Sequence, residues 1–140
     1  MNIATIYPVL ALVGWTFVMW VWMYATRIPA IQAADVDMEE LSRTGAPLVM
    51  PPEVARIADN YNHLHEQPVI FYAVALSAAV LGFADTITLA IAWLYVGLRI
   101  VHSIIQATRN VIIIRFGVFA VASVVLFTLF ARTTYLAILG

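Results

Sequence analysis

The sequence predicts an all-α protein held in a membrane as a four-helix, up-down bundle. Three observations carry that expectation. The 140 residues are 64% hydrophobic and only 11% charged, with a mean hydropathy of +0.94, whereas soluble domains run at roughly 45–50% apolar and about 25% charged. The charged positions leave four stretches of about the 20 predominantly apolar residues that a spanning helix needs. The connections after the second and third stretches are so short that neighbouring helices must run antiparallel.

The first span is expected over residues 4–27, because Ala4 to Thr26 carries no charge. Gln32-Ala33-Ala34 offers small residues of the kind found at signal cleavage sites. No basic residue precedes the apolar stretch, however, and that stretch is longer than a signal core, so a retained anchor is expected. A loop follows, from about Ile28 to Pro51. It reads Asp35-Val36-Asp37-Met38-Glu39-Glu40 and then Arg43, Gly45 and Pro47, a solvated composition with room for one helical turn. It serves either as a connector or as a lid over a site.

Pro51-Pro52-Glu53 opens the second span, expected over 53–82. Proline is pre-organised for a first helical turn, and a carboxylate complements the positive end of the helix dipole. A tight turn at Gly82 to Asp85 leads to the third span, 85–108, interrupted only by Arg99. A very short turn at Arg109-Asn110 leads to the fourth, 111–136, whose apolar run is interrupted by Arg115. The whole chain is one domain. Arg27, Arg43, Arg56 and Arg109 fall on the loop face and Arg132 near the other. The excess of arginine puts the loop face in the cytoplasm and both termini outside it.

Charge and cysteine content exclude other classes. Seven basic residues, all arginine, stand against eight acidic ones for a net charge of -1, which provides no basic field for nucleic acid. With no cysteine there is no disulfide, no thiolate nucleophile and no sulfur-ligated metal. Redox chemistry would need a borrowed thiol or a cofactor.

Polarity within the spans is the functional signal. On a helix continuous from Pro52, Arg56, Asn60, His63 and Gln67 stack at spacings of four, three and four, and Asp59, Asn62 and Glu66 form an adjoining stripe. An arc so wide cannot face hydrocarbon, where each unpaired polar group costs several kcal/mol. His65 turns the other way with Tyr61 and Tyr72. On the third helix Arg99, His102 and Gln106 repeat the pattern, with Ser103 and Asn110 beside them. At about 1.5 Å per residue, Glu66 lies about 20 Å and Arg99 about 15 Å from the same face. A Glu66–Arg99 pair is therefore expected. The resulting pocket suits an anionic polar ligand with an apolar partner arriving from the bilayer. The same residues could instead act only as polar glue between helices. His63 and His102, at similar depth, could hold a haem or metal ion, but two histidines are a weak signal and no metal site is assigned. Proton or ion transport along the arc is a further alternative.

A family resemblance rests on these residues. The four-span plan, with Arg56, Asn60, Asn62 and Glu66 on a polar second helix, then Pro68 and Phe71-Tyr72, then Leu98-Arg99, His102-Ser103 and Arg115-Phe116, resembles the MAPEG family. These are membrane-associated proteins in eicosanoid and glutathione metabolism, and the likeness is to their little-characterised bacterial branch, over nearly the whole chain. It implies a homotrimer in a bacterial inner membrane. It also implies glutathione bound between subunits near the cytoplasmic face, and conjugation, peroxide reduction or isomerisation of a lipophilic substrate. Arg56 would meet a glutathione carboxylate, Asn60 its backbone, and Arg109 or Arg115 would be the catalytic cation favouring thiolate over thiol. Glu66 and Arg99 would brace the site, and His63 and His102 would relay protons. The family's studied enzymes carry Arg, then Asn four residues on, then Glu three further. Here His63 stands at the third place, Glu66 lies three residues beyond, and Ile100 and Ile104 stand where those enzymes have tyrosines. A non-catalytic lipid-binding scaffold, like the five-lipoxygenase-activating relative, needs the same pocket without the thiol chemistry.

Overall fold

Charge-free apolar runs become long helices in a computed structural model that describes residues 3–139. In chain order these are α1 (Ile6–Ala33), α2 (Met38–Thr44), α3 (Pro52–His63), α4 (Gln67–Val80), α5 (Thr86–Ala107) and α6 (Ile112–Leu139). There is no strand among the described residues. α1, α5 and α6 are each long and apolar enough to cross a membrane, so the chain is a multi-pass membrane protein.

Local chemistry accounts for most boundaries. α1 runs past its expected end, through Pro29, and stops only before Asp35, where φ is +47°. The short α2 within the loop is capped by Asp37, whose Oδ1 accepts from the Glu39 and Glu40 amides at 3.0 Å. α4 ends in a Schellman motif: the Phe83 amide reaches Ala78 O at 2.8 Å, the Gly82 amide reaches Ala79 O at 3.2 Å, and Gly82 takes φ +79°.

One boundary corrects the sequence reading. Pro52 does open a helix, but the stretch 53–82 is not a continuous one: α3 stops at His63 and α4 starts at Gln67. Pro68 has no N–H for the Leu64 carbonyl, and its ring would press on that carbonyl in an unbroken helix. Glu66 accordingly leaves helical geometry, with φ −96° and ψ −99°. The backbone is stitched across the gap by the His65 amide on Asn62 O at 2.9 Å and the Glu66 amide on His63 O at 3.3 Å.

α5 and α6 lie side by side and antiparallel, α1 packs on α3, α4 and α5, and α4 rests against α6. Fully buried Ala75, Ala78, Ala92 and Ala122 let the helices approach closely, with Phe71, Tyr95, Leu12 and Met19 filling the space between. Phe17, Val21, Ile113 and Phe127 point outward, as lipid-facing side chains do. Polarity is turned inward instead: Asn60, Arg99, His102 and Ser103 are all buried.

The end opposite the loop is tied by Asp85. Its Oδ1 accepts from the Thr88 amide at 2.8 Å, its Oδ2 pairs with Arg132 of α6, and Arg132 Nε donates to Thr88 Oγ1 at 3.0 Å. The Thr88 amide, then the Thr88 hydroxyl, and then Arg132 hold the Asp85 carboxyl below its ordinary value of 3.8. A carboxyl whose value is lower in the folded chain adds stability at neutral pH, and that increment is lost as pH falls through the folded value. Asp85→Ala is expected to cost about 1 kcal/mol at neutral pH through the lost cap. The loss of melting temperature below about pH 4 should also be smaller in the variant than in the wild type. Thermal unfolding in detergent across pH measures both, and identical wild-type and variant curves would remove this role.

Candidate functional site

The polar faces of α3 and α5 meet at two levels. At the first, Asn60 Nδ2 donates to Ser103 Oγ, which also accepts from Trp15 Nε1 at 2.9 Å. Ser103 thus joins α1, α3 and α5. Gln67 does the same for α4, accepting from Tyr95 OH at 3.2 Å and donating to Ser123 Oγ at 2.8 Å.

The second level is the helix break. His63, the last residue of α3, donates from Nδ1 to Glu66 Oε2 at 2.8 Å. Its ring stacks on Phe119 of α6 with centroids 5.5 Å apart and lies 5.2 Å from the ring of His102. Arg99 is fully buried behind it. Its Nη2 donates to the His63 carbonyl at 3.3 Å, and its guanidinium carbon lies 5.7 Å from the Phe119 centroid. The expected Glu66–Arg99 ion pair does not form. Departure from helical geometry turns Glu66 outward onto His63, leaving its side chain 66% exposed. Arg99 takes instead a main-chain carbonyl that the break has freed from its usual helical partner.

Beside the break lies an open recess of about 440 Å³ lined by Asp59, Asn62, His63, Glu66, Gln106 and Arg115. That volume is within the range of small-molecule sites, roughly 300–1,000 Å³. Two carboxylates, one guanidinium and one imidazole face the same space. Arg115 is steadied by Asn110, whose Oδ1 accepts from its Nη1 at 2.6 Å. Gln106 Oε1 on the lining and, behind it, Arg99 Nε and Nη1 and His102 Nδ1 are buried without a hydrogen-bond partner among the described residues. Buried polar groups are nearly always satisfied. Four unsatisfied atoms in one cluster mark a place for water or a ligand.

The residues singled out from the sequence fall into three groups. His63, Glu66 and Arg115 line the recess, and Arg99 and His102 stand behind it. Asn60 is sealed in the helix junction, and Arg56, half-buried with an unpartnered Nε, does not reach the lining. Arg109 is exposed and outside the recess, so Arg115 is the candidate cation that faces it. The ring of Phe119, which carries both His63 and Arg99, was not foreseen. Its position four residues after Arg115 on an apolar helix was the available signal. His65 does turn the other way, its Nδ1 on Tyr61 O at 2.9 Å, into an aromatic groove that Tyr61 and Tyr72 share with Phe17 and Trp20 of α1.

Comparison with known proteins follows this geometry. The sequence model of the MAPEG family matches residues 5–135. No curated protein matches the chain, and no solved structure does.

Proposed function

The chain belongs to the MAPEG family, and from that premise we propose that it binds glutathione in the recess beside the helix break. There it would conjugate the thiol to lipophilic substrates from the bilayer, or spend it in reducing their peroxides. The observation carrying this reading is the charge pattern around one space: Asp59 and Glu66 together with Arg115. Glutathione bears an ammonium group, two carboxylates and a thiol. The two carboxylates of the recess suit the ammonium group, and Arg115 suits a carboxylate or a thiolate. The Arg99 guanidinium, buried behind the recess, adds positive charge that favours an anionic guest. When bound, glutathione supplies the nucleophilic thiol that a chain without cysteine lacks. Asn60 would then serve mainly by holding α3 in register with α1 and α5, and Arg56 stands outside the recess lining. The same reading takes α3 and α4 together as a fourth crossing and three subunits as the assembly. It places the loop bearing α2 in the cytoplasm, with both termini beyond a bacterial inner membrane.

A lipid-binding scaffold without thiol chemistry is the second reading, favoured by Ile100 and Ile104 at positions where the family's enzymes carry tyrosines. Titration calorimetry on detergent-purified protein separates them when paired with a conjugation assay using an electrophilic aromatic. The wild type should bind glutathione, and Arg115→Ala should bind it at least about tenfold more weakly, since a hydrogen bond to a charged group contributes about 1.5–3 kcal/mol. Binding with neither conjugation nor peroxide reduction selects the scaffold. Absence of binding would overturn the glutathione reading.

A further inference from the structure

The pairing of His63 with Glu66 goes beyond binding. A carboxylate can only accept, so the 2.8 Å contact fixes the His63 tautomer with its proton on Nδ1. The lone pair is then on Nε2, which has no hydrogen-bond partner among the described residues, and the ring that carries it lines the recess. Three things hold this imidazole in place. Phe119 stacks on its face, His102 closes it in from α5, and Arg99 grips its own carbonyl. Glu66, three residues on, is within reach of it, and the break at Pro68 takes Glu66 out of helical geometry. The charged and titratable groups around it are Asp59 and Glu66 from its own segment, Arg99 and His102 from α5, and Arg115 from α6. A proton acceptor and a fixed cation thus face one cavity, the arrangement needed to ionise a weak acid and retain the anion.

We infer that His63, oriented by Glu66, is the general base that takes the proton from a thiol bound in the recess. This rests on the glutathione reading above. His63 Nε2 accepts the proton as the S–H bond breaks, the electron pair stays on sulfur beside Arg115, and the Glu66 carboxylate steadies the imidazolium. As sulfur bonds to an electrophilic carbon, the departing group leaves with the electron pair of its old bond, and His63 returns its proton to that group or to water. Towards the thiol Glu66 is a positioning residue, acting on the proton only through the His63 tautomer that it sets.

The test compares wild type, His63→Gln and Glu66→Gln with two probes, glutathione and S-methylglutathione, which has no S–H. The wild type should bind both and show the ultraviolet absorbance of a thiolate with glutathione alone. His63→Gln should still bind S-methylglutathione, lose the thiolate absorbance and conjugate about 100-fold more slowly, the lower end of what a positioned base contributes. Glu66→Gln should shift the pH profile of the thiolate signal, and Glu66→Asp should restore part of it. A thiolate signal and rate in His63→Gln equal to wild type would overturn the inference and leave Arg115 sufficient. If His63→Gln fails to bind S-methylglutathione, Glu66→Gln decides, and an unshifted profile there overturns the inference. Wild-type protein that binds neither probe overturns the glutathione reading and this inference with it.

Discussion

Arg99→Glu is expected to yield no folded protein, whereas Arg99→Met should fold and melt at or above the wild-type temperature. Arg99 is completely enclosed, yet it makes a single hydrogen bond at 3.3 Å and leaves Nε and Nη1 unpaired. Charge reversal would put a carboxylate against the His63 carbonyl, with Glu66 nearby and no donor in place of the guanidinium. A buried charge without a partner costs about 3–5 kcal/mol, a large share of the roughly 5–15 kcal/mol that separates folded from unfolded states. Methionine occupies similar length without a charge to desolvate. Apolar replacement of buried ionic groups is often neutral or stabilising, by about 1–4 kcal/mol. The His63 carbonyl would keep the Glu66 amide, at 3.3 Å. What Arg99→Met should lose is function: without that positive charge behind the recess, glutathione affinity should fall about tenfold, or about 1.4 kcal/mol. Yield and melting in detergent, with calorimetry on the methionine variant, measure these outcomes. Strong destabilisation by methionine would instead make Arg99 a structural clamp.

The contrast between Arg99's surroundings and its sequence context shows where one-dimensional reading reaches its limit. The turn at Gly82 to Asp85 and the start at Pro52 were legible because their determinants are local: a left-handed glycine, a capping aspartate and a proline at the first helical position. The inward turn of α3 and α5 was legible too, because the spacing of polar residues on a helix encodes a face. The break between α3 and α4 was not. Proline alone does not decide it, since α1 carries Pro29 without interruption. At Pro68 the freed backbone is met by a guanidinium 36 positions away in sequence, Arg99 on the His63 carbonyl, and such a contact exists only after folding. The missing Glu66–Arg99 pair follows from the same omission. A depth counted at constant rise along one helix places Glu66 level with Arg99, but loss of helical geometry at Glu66 rotates its carboxylate towards His63. The polar constituents of the recess were therefore readable, and their partners were not.

Phe71→Ala should be the most destabilising of the apolar truncations, by about 2–3 kcal/mol, whereas Phe127→Ala should change stability by less than about 0.5 kcal/mol. Phe71 is fully enclosed and stacked on Tyr95 with centroids 4.7 Å apart. Phe127 is 67% exposed on a lipid-facing surface. In a water-soluble core a Phe→Ala change costs about 3–5 kcal/mol, part of it for transfer from water. That part is missing in a bilayer, where lipid tails are as apolar as the side chain. The cavity remains: roughly 100 Å³ vacated at about 24 cal/mol per Å³ gives about 2.4 kcal/mol, and loss of the stacked ring pair adds about 0.5 kcal/mol. The consequence reaches the recess, because α4 has only 14 residues and its first, Gln67, ties it to Tyr95 and Ser123. Loosening Phe71 frees the segment that positions Glu66, so glutathione affinity should fall together with stability, and Phe71→Leu should recover most of both. Reversible unfolding in mixed micelles, run on all three variants, checks the ranking. Equal losses from Phe71→Ala and Phe127→Ala would mean that α4 is held by the lipid around it and not by its packing on α5.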